Sequence, residues 1–213
     1  MLSILPVILL RWIDPVSSSF MLQYQWSSSS DQRLNFKWRN WDKLSPQLKI
    51  AVVAAEDQNF PTHYGLDFKS IRNALKQRQQ GRSSRGASTI SQQVVKNMFL
   101  WSGQSWIRKG FEAWLALVLE TFCSKKRILE IYLNIAQWGS NQFGAQAASQ
   151  RYFSKNALHL NRHESSLLAA VLPNPVRFRV DKPSKYTLGR QHWILSQIRG
   201  LGGPGYLSDI SRK

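Results

Sequence analysis

Glu56 and Asp57 close a mostly apolar run, Leu48 to Ala55, and a polar turn follows them, Gln58-Asn59-Phe60-Pro61-Thr62-His63-Tyr64-Gly65. A carboxylate in that place would stand at the mouth of the core. Partial desolvation there raises its pKa and suits it to proton transfer near neutrality. The bland alternative is a solvated helix end with Asp57 facing water. Between Phe68 and Asn97 the charged residues are Lys69, Arg72, Lys76, Arg78, Arg82, Arg85 and Lys96, with no acid among them. Such an uncompensated stretch suits a phosphate-rich ligand, and it also describes a solvated basic face. Within it, Arg85-Gly86-Ala87-Ser88-Thr89 joins a glycine-permitted turn to a helix start. That arrangement turns backbone N–H groups and hydroxyls toward an anion. Gln92, Gln93 and Lys96 come next, and Gln92 and Lys96 share a face one turn apart.

Glu112 is the acid in an apolar setting, among Phe111, Trp114 and Leu115. Buried without a partner it would be costly, so it needs a cation, a metal ion or a substrate group. An intrahelical pair with Arg108, four residues back, satisfies the spacing equally well. His63 reads as a hydrogen-bonding turn residue. The one metal-like spacing, His159 with His163, falls before a helix rather than inside one, and His192 stands apart. No P-loop, no G-x-G-x-x-G and no G-x-S-x-G is present. Cys123, the single cysteine, excludes an intrachain disulfide framework and a thiolate zinc site, and reads as a small apolar residue.

Helices must position these groups. Ser45 with Pro46 opens one that runs to Asp57, and Asp67 starts a second toward Gln79. Gly81 to Gly86 reads as a mobile loop, and Ser88 as the cap of a helix carrying Ile90, Val94, Val95 and Met98. Ile107, Phe111, Trp114, Leu115, Val118, Leu119 and Phe122 recur at three- and four-residue steps, which predicts a long helix buried along that side. Ser124 restarts the chain into Ile128, Leu129, Tyr132 and Leu133. Asn161 with Glu164 forms a capping-box pattern ahead of Leu167 to Leu172, and Pro173 and Pro175 end that helix. The last helix spans Ser184 to Ile198, with Gly200 as its stop. No period-two alternation is long enough to nominate a sheet, so the class is mainly α.

The 213 residues suit one sizeable domain, or a compact core with a smaller flap. A hydrophobic content of 43% excludes global disorder. Lys+Arg 29 against Asp+Glu 12 gives +17, which draws the chain to nucleic acid, phospholipid headgroups or phosphorylated small molecules. Residues 1–16 read as an N-terminal membrane anchor, with Arg11-Trp12 like the edge of a bilayer segment. The apolar run through Ile13 is nevertheless shorter than the roughly 20 residues a spanning helix needs, so an interfacial segment or a buried core element are the other readings. Residues 17–43, with the run Ser27 to Ser30, read as a lead-in or linker, 44–200 as the functional domain, and 201–213 as a tail.

Five segments follow one another: Glu56 to Gly65 as quoted; Arg85-Gly86-Ala87-Ser88-Thr89-Ile90-Ser91-Gln92-Gln93-Val94-Val95-Lys96-Asn97; Arg108-Lys109-Gly110-Phe111-Glu112-Ala113; Lys126-Arg127-Ile128-Leu129-Glu130-Ile131-Tyr132-Leu133-Asn134; and Leu168-Ala169-Ala170-Val171-Leu172-Pro173-Asn174-Pro175. In this set and order they resemble the peptidoglycan glycosyltransferase family, lysozyme-like enzymes that polymerise lipid II. The resemblance runs from about Leu44 to Arg199 and implies a lysozyme-like helical lobe with a smaller membrane-proximal lobe. It implies Glu56 as catalytic base and Glu112 as second catalytic carboxylate. Ser88, Gln92, Gln93 and Lys96 match positions that contact the donor's sugar and pyrophosphate. Asp57, Phe60, His63, Arg85, Gly86, Thr89, Asn97, Arg108, Lys109 and Asn134 are the further substrate-binding positions that the resemblance implies. One position departs: Gln104 stands where related enzymes often carry an arginine at a pyrophosphate contact.

What the resemblance implies for mechanism is an inverting transfer. Glu56 takes the proton of an acceptor 4-hydroxyl while undecaprenyl pyrophosphate leaves the growing strand, its charge met near Lys96 and Glu112. It admits a divalent cation, magnesium or manganese, at Glu112, and no organic cofactor. The implied partners are lipid II, the growing glycan strand, the membrane and other cell wall synthases, with no nucleic acid. The implied location is the bacterial inner membrane, with the catalytic domain on the periplasmic side. A muramidase-type glycan hydrolase is the rival enzyme. A basic nucleic-acid-binding helical module explains the charge but leaves Glu112 and the apolar N-terminus without purpose, and a membrane scaffold is the remaining alternative.

Overall fold

Helices carry nearly all the regular structure in the computed structural model, which describes residues 4–27, 33–80, 88–103 and 105–212. In chain order they are α1 (Leu5–Leu9), α2 (Ser19–Ser27), α3 (Pro46–Glu56), α4 (Phe68–Gln79), α5 (Ile90–Phe99), α6 (Trp106–Phe122), α7 (Lys125–Ile135), α8 (Ala145–Phe153), α9 (Arg162–Val171), α10 (Lys185–Gly200) and α11 (Ser208–Arg212). Among the described residues one parallel pair, β1 (Asn35–Phe36) with β2 (Gln142–Phe143), forms the sheet. The mainly α expectation holds.

α3 is the central element. The Ser45 hydroxyl accepts the Gln47 N–H at 3.1 Å and Pro46 takes the first helical position, so the helix starts where the sequence places it. Leu48, Ile50, Ala51, Val52, Val53 and Ala54 are all buried, as is Lys49 with its ammonium over the Trp41 ring, so the helix lies inside the core. α9 and α10 pack on it, and α5 packs between α6 and α7. The Asn161–Glu164 capping box of α9 forms in both directions. α3 thus ends at a fixed point, with Glu56 in its last turn.

α6 corrects the sequence reading. Leu115 and Leu119 do face the core, together with Ala116, but the rest of the inner stripe is Arg108, Glu112 and Glu120. Ile107, Phe111 and Trp114 point outward, at 73%, 51% and 42% exposure, beside Trp106 at 92%. Periodicity identified the helix but not which of its two neighbouring stripes is inside. The charged pair goes in because its members neutralise one another, which leaves the aromatics outside.

At the chain ends, the segments read as anchor and tail carry packed structure. Among the described residues no helix is long and apolar enough to cross a membrane. The N-terminal segment instead folds onto the domain: Val7 and Leu10 are buried in the core, while Leu5, Leu9, Trp12 and Ile13 remain exposed. Arg127 of α7 holds it by donating to the carbonyls of Leu10 and Ile13 and pairing with Asp14. The lead-in contains α2, whose Met21 is buried, and its Ser19 hydroxyl donates to the Leu100 carbonyl. The Ser27 to Ser30 run lies mostly outside the described residues. The expected tail folds into a single 3-10 turn and α11, which bury Leu207 and Ile210. Gly200 is the last residue of α10, and the left-handed position that ends the helix falls at Gly202, φ 84°.

Candidate active site

Glu56 leaves α3 with its side chain 13% exposed, and each carboxylate oxygen has a partner. Oε2 accepts from Gln93 Nε2 at 3.1 Å, and Oε1 from Arg190 Nη2 at 3.2 Å. The Tyr132 hydroxyl, 3.1 Å from Gln93 Oε1, fixes the Gln93 amide so that its nitrogen faces the acid. Burial raises the Glu56 pKa above the ordinary glutamate value, against the opposing pull of Gln93 and of the Arg190 and Lys96 charges. The solvated-helix-end alternative does not hold for this residue.

Asp57 takes a different part. Its Oδ2 accepts the Ile90 N–H at 2.8 Å and lies 2.8 Å from His63 Nε2, so it ties the end of α3 to the start of α5. Thr89, not Ser88, is the N-cap of α5. A capping box needs a glutamine or glutamate three residues on, and Thr89 has Gln92 there. Thr89 also donates to the Gly65 carbonyl at 2.6 Å. Gly65 has φ +75°, and a Cβ there would stand 3.0 Å from the Ala116 carbonyl oxygen, so glycine is required where this turn meets α6. Capping employs Thr89 and Gln92, and the next two groups, Gln93 and Lys96, are left to face the site. Asn97 follows Gln93 by one turn and is half-buried.

Glu112 is fully partnered. Oε2 is 3.0 Å from Arg108 Nη1, and Oε1 pairs with Lys109 Nζ, which also donates to Ser88 Oγ at 2.9 Å. The intrahelical pair read as an alternative in the sequence is therefore what forms. Lys96 lies in the field of both carboxylates: burial lowers its pKa, the Glu112 charge opposes that most, and Glu56 adds to the opposition. Its ammonium sits 5.5 Å from the centre of the Phe20 ring. Among the described residues no cluster of three His, Cys, Asp or Glu could hold a metal ion, and both Glu112 oxygens already face cations. The donor set does not fit a divalent ion.

The predicted residues thus divide. Glu56 and Gln93 form one bonded group, and Ser88, Arg108, Lys109 and Glu112 a second, with Lys96 in the field of both carboxylates. Asp57, Phe60, His63, Thr89, Gln92 and Asn134 are tied to protein partners behind them. Asn134 is wholly buried and exchanges hydrogen bonds with the Arg39 backbone, holding the lead-in to α7. Arg85, Gly86, the loop 81–86 and Gln104 lie outside the described residues. Sequence reasoning missed Arg190 and Tyr132 as partners of Glu56 and Gln93. Tyr132 was visible as a helix-face aromatic, while no local pattern in α10 marks Arg190.

A family model described as Transglycosylase matches residues 23–199. A protein of Stutzerimonas stutzeri (strain A1501) named biosynthetic peptidoglycan transglycosylase is 50% identical over 212 residues, covering 98% of this chain and 88% of that one. A protein of the same name from Pseudomonas entomophila (strain L48) is 47% identical over 216 residues, covering 99% and 92%. Another, from Pseudomonas aeruginosa, is 46% identical over 213 residues with the same coverage, 99% and 92%.

Proposed function

The chain belongs to the transglycosylase family, and from that premise we propose that Glu56 is the general base of a lipid II polymerase whose leaving group is received by Lys96, Arg108 and Lys109. The enzyme is a peptidoglycan glycosyltransferase of cell wall synthesis. The observation that carries the assignment of roles is a buried carboxylate held by Gln93 and Arg190, set apart from the Arg108 and Lys109 cations on Glu112, with Lys96 in the field of both acids.

Glu56 withdraws the proton of the acceptor 4-hydroxyl as that oxygen attacks the donor's anomeric carbon. The anomeric bond to pyrophosphate breaks, and the configuration inverts in one displacement. A carboxyl with a raised pKa is the stronger base, and Gln93 with Arg190 holds it in one orientation. The departing undecaprenyl pyrophosphate gains negative charge, which preorganised cations stabilise without reorganisation. Arg108 Nε is buried and unpartnered among the described residues, a donor in reserve beside Glu112. Glu112 keeps Arg108 and Lys109 aimed, and no step runs through a metal ion. A retaining hydrolase would need its second carboxylate free to attack carbon. Both oxygens of Glu112 face cations instead, which favours transfer over the muramidase reading.

The lipid tail of such a substrate stays in a bilayer, so the site works at a membrane surface on the periplasmic side of the inner membrane. The outward Trp106, Ile107, Phe111 and Trp114, flanked by exposed Leu5 and Leu9 of α1, form the surface suited to that contact. The net charge of +17 adds attraction to anionic headgroups. Incubating the purified chain with labelled lipid II and sizing the product tests the reading. Polymer from the wild type and none from Glu56→Gln is expected, and equal polymer from both overturns it.

A further inference from the structure

Behind Asp57 runs a buried chain of charged groups that the reaction described above leaves unused. Glu120 of α6 accepts from the Ser91 hydroxyl of α5 at 2.5 Å and pairs with Lys125 Nζ at 2.6 Å. Lys125 opens α7, and its ammonium also lies 4.5 Å from the centre of the Phe60 ring and 3.5 Å from His63 Nδ1. The other ring nitrogen, His63 Nε2, meets Asp57 Oδ2 at 2.8 Å. The side chains of Glu120, Asp57 and His63 are 3%, 3% and 6% exposed, and that of Lys125 15%, so water scarcely competes for these bonds.

The direction of each bond follows from donor chemistry. An ammonium has three donors and no acceptor, so Lys125 gives a hydrogen bond to Nδ1 only if that nitrogen carries a lone pair. The proton of the neutral ring then sits on Nε2, where Asp57 accepts it. Burial lowers the Lys125 pKa, and the adjacent Glu120, which accepts a hydrogen bond from its nitrogen, opposes that. Asp67, held by Asn59 and Ser70, also lies within electrostatic reach of His63. In the opposite tautomer two acceptors, the Nε2 lone pair and the Asp57 carboxylate, would meet at 2.8 Å and the joint would open.

We propose that Lys125 is a positioning residue for the transfer reaction: it selects the Nε2–H tautomer of His63 and thereby keeps Asp57 clamping the end of α3 onto the start of α5. Glu56 is the residue before Asp57, and Gln93 lies one turn into α5, so this clamp sets the Glu56–Gln93 contact. The proposal rests on Glu56 being the base. Loosening the clamp misplaces the base against the acceptor, a loss felt in the transition state. The cations on α5 and α6, held by their own contacts, continue to bind the donor.

The test combines spectroscopy with kinetics on the full chain. Two-bond proton–nitrogen spectra of 15N-histidine-labelled protein, with the His63 signal assigned by its loss in His63→Gln, report which ring nitrogen is protonated. Wild type is expected to show Nε2–H. Lys125→Met should give a mixture of tautomers, with kcat on lipid II lowered by about tenfold or more and KM within about twofold, as for a misplaced catalytic group. Lys125→Arg should restore both tautomer and turnover. An Nδ1–H tautomer in the wild type overturns the proposal, and that spectrum needs no variant to fold. So does a Met variant that keeps Nε2–H, or one that changes tautomer yet turns over normally. Activity surviving in Glu56→Gln would instead strike the assignment of the base and leave the tautomer result standing.

Discussion

Arg190 Nη2 lies 3.2 Å from Glu56 Oε1, across a sequence separation of 134. The guanidinium is a controlled counterweight: burial raises the proton affinity of Glu56, and the charge of Arg190 restrains the rise. Replacing Arg190 with Met removes the restraint, so the acid limb of kcat/KM moves to higher pH. Activity should fall more at mildly acidic than at mildly alkaline pH. A pH–rate profile of the variant checks this, and an unmoved limb would show that Arg190 does not tune the base.

Glu56→Gln should be a stable, inactive protein. A carboxyl whose folded pKa is raised contributes stability fully below its unfolded value, and loses that contribution as pH rises through the folded value. Ionising this buried acid therefore lowers the stability of the fold as pH rises. The glutamine variant should melt above wild type at neutral pH, with the gap closing as pH falls into the ordinary glutamate range. Turnover should drop by about 10²–10⁴-fold, the usual contribution of a general base. Melting curves across pH, beside lipid II turnover, decide it.

Lys96 obeys the mirror rule. Burial depresses its pKa, so its stability contribution is present above the unfolded value and is lost as pH falls through the folded one. Lys96→Met should accordingly melt higher than wild type at neutral pH while losing donor turnover, because the leaving pyrophosphate meets one cation fewer. A variant that keeps wild-type kcat/KM would remove Lys96 from the leaving-group site.

Glu112→Ala should behave in the opposite way from those two. It strips Arg108 of its counter-ion where the two side chains are 11% and 3% exposed, and leaves Lys109 with Ser88 alone. Breaking one side of a buried ion pair costs about 3–5 kcal/mol. Chemical denaturation should register a loss of that order together with lost activity, and a loss below about 1 kcal/mol would mean that the clamp is not structural.

Legibility in the sequence followed the range of the forces involved. Caps and helix cores depend on neighbours a few residues away, and Ser45-Pro46, Asn161-Glu164 and the apolar run of α3 could be read directly. The acid at residue 56 and the basic array around Lys96 were legible as types, and the order of motifs tied them together. Arg190 was not, because a lone arginine in a polar helix shows nothing of the carboxylate it will meet. Thr89 and Ser88 were confused because both can cap; only Gln92, three residues past Thr89, distinguishes them. In α6 the sequence offered two adjacent stripes, and a hydrophobicity rule chose the aromatics for the inside. The Arg108–Glu112 pair reversed that choice, since a neutralised ion pair can be buried where a lone charge cannot.

That reversal yields the last prediction. Phe111 and Trp114 are 51% and 42% exposed on the helix whose inner face carries Glu112, and together with Ile107 and Gly110 they line an open groove of about 470 Å³. Rings this exposed on a helix whose inner face is charged contribute little to the core, so Phe111→Ser with Trp114→Ser should leave the melting temperature close to wild type. The same pair should weaken sedimentation with vesicles containing anionic lipid by about tenfold or more, since each aromatic withdrawn from a bilayer interface forfeits part of the roughly 1.5–3 kcal/mol that full burial of a large apolar side chain provides. Polymerisation of lipid II embedded in those vesicles should fall in step. If vesicle binding persists in the double variant but disappears at high salt, the basic surface alone holds the protein to the membrane and the aromatic face serves some other contact.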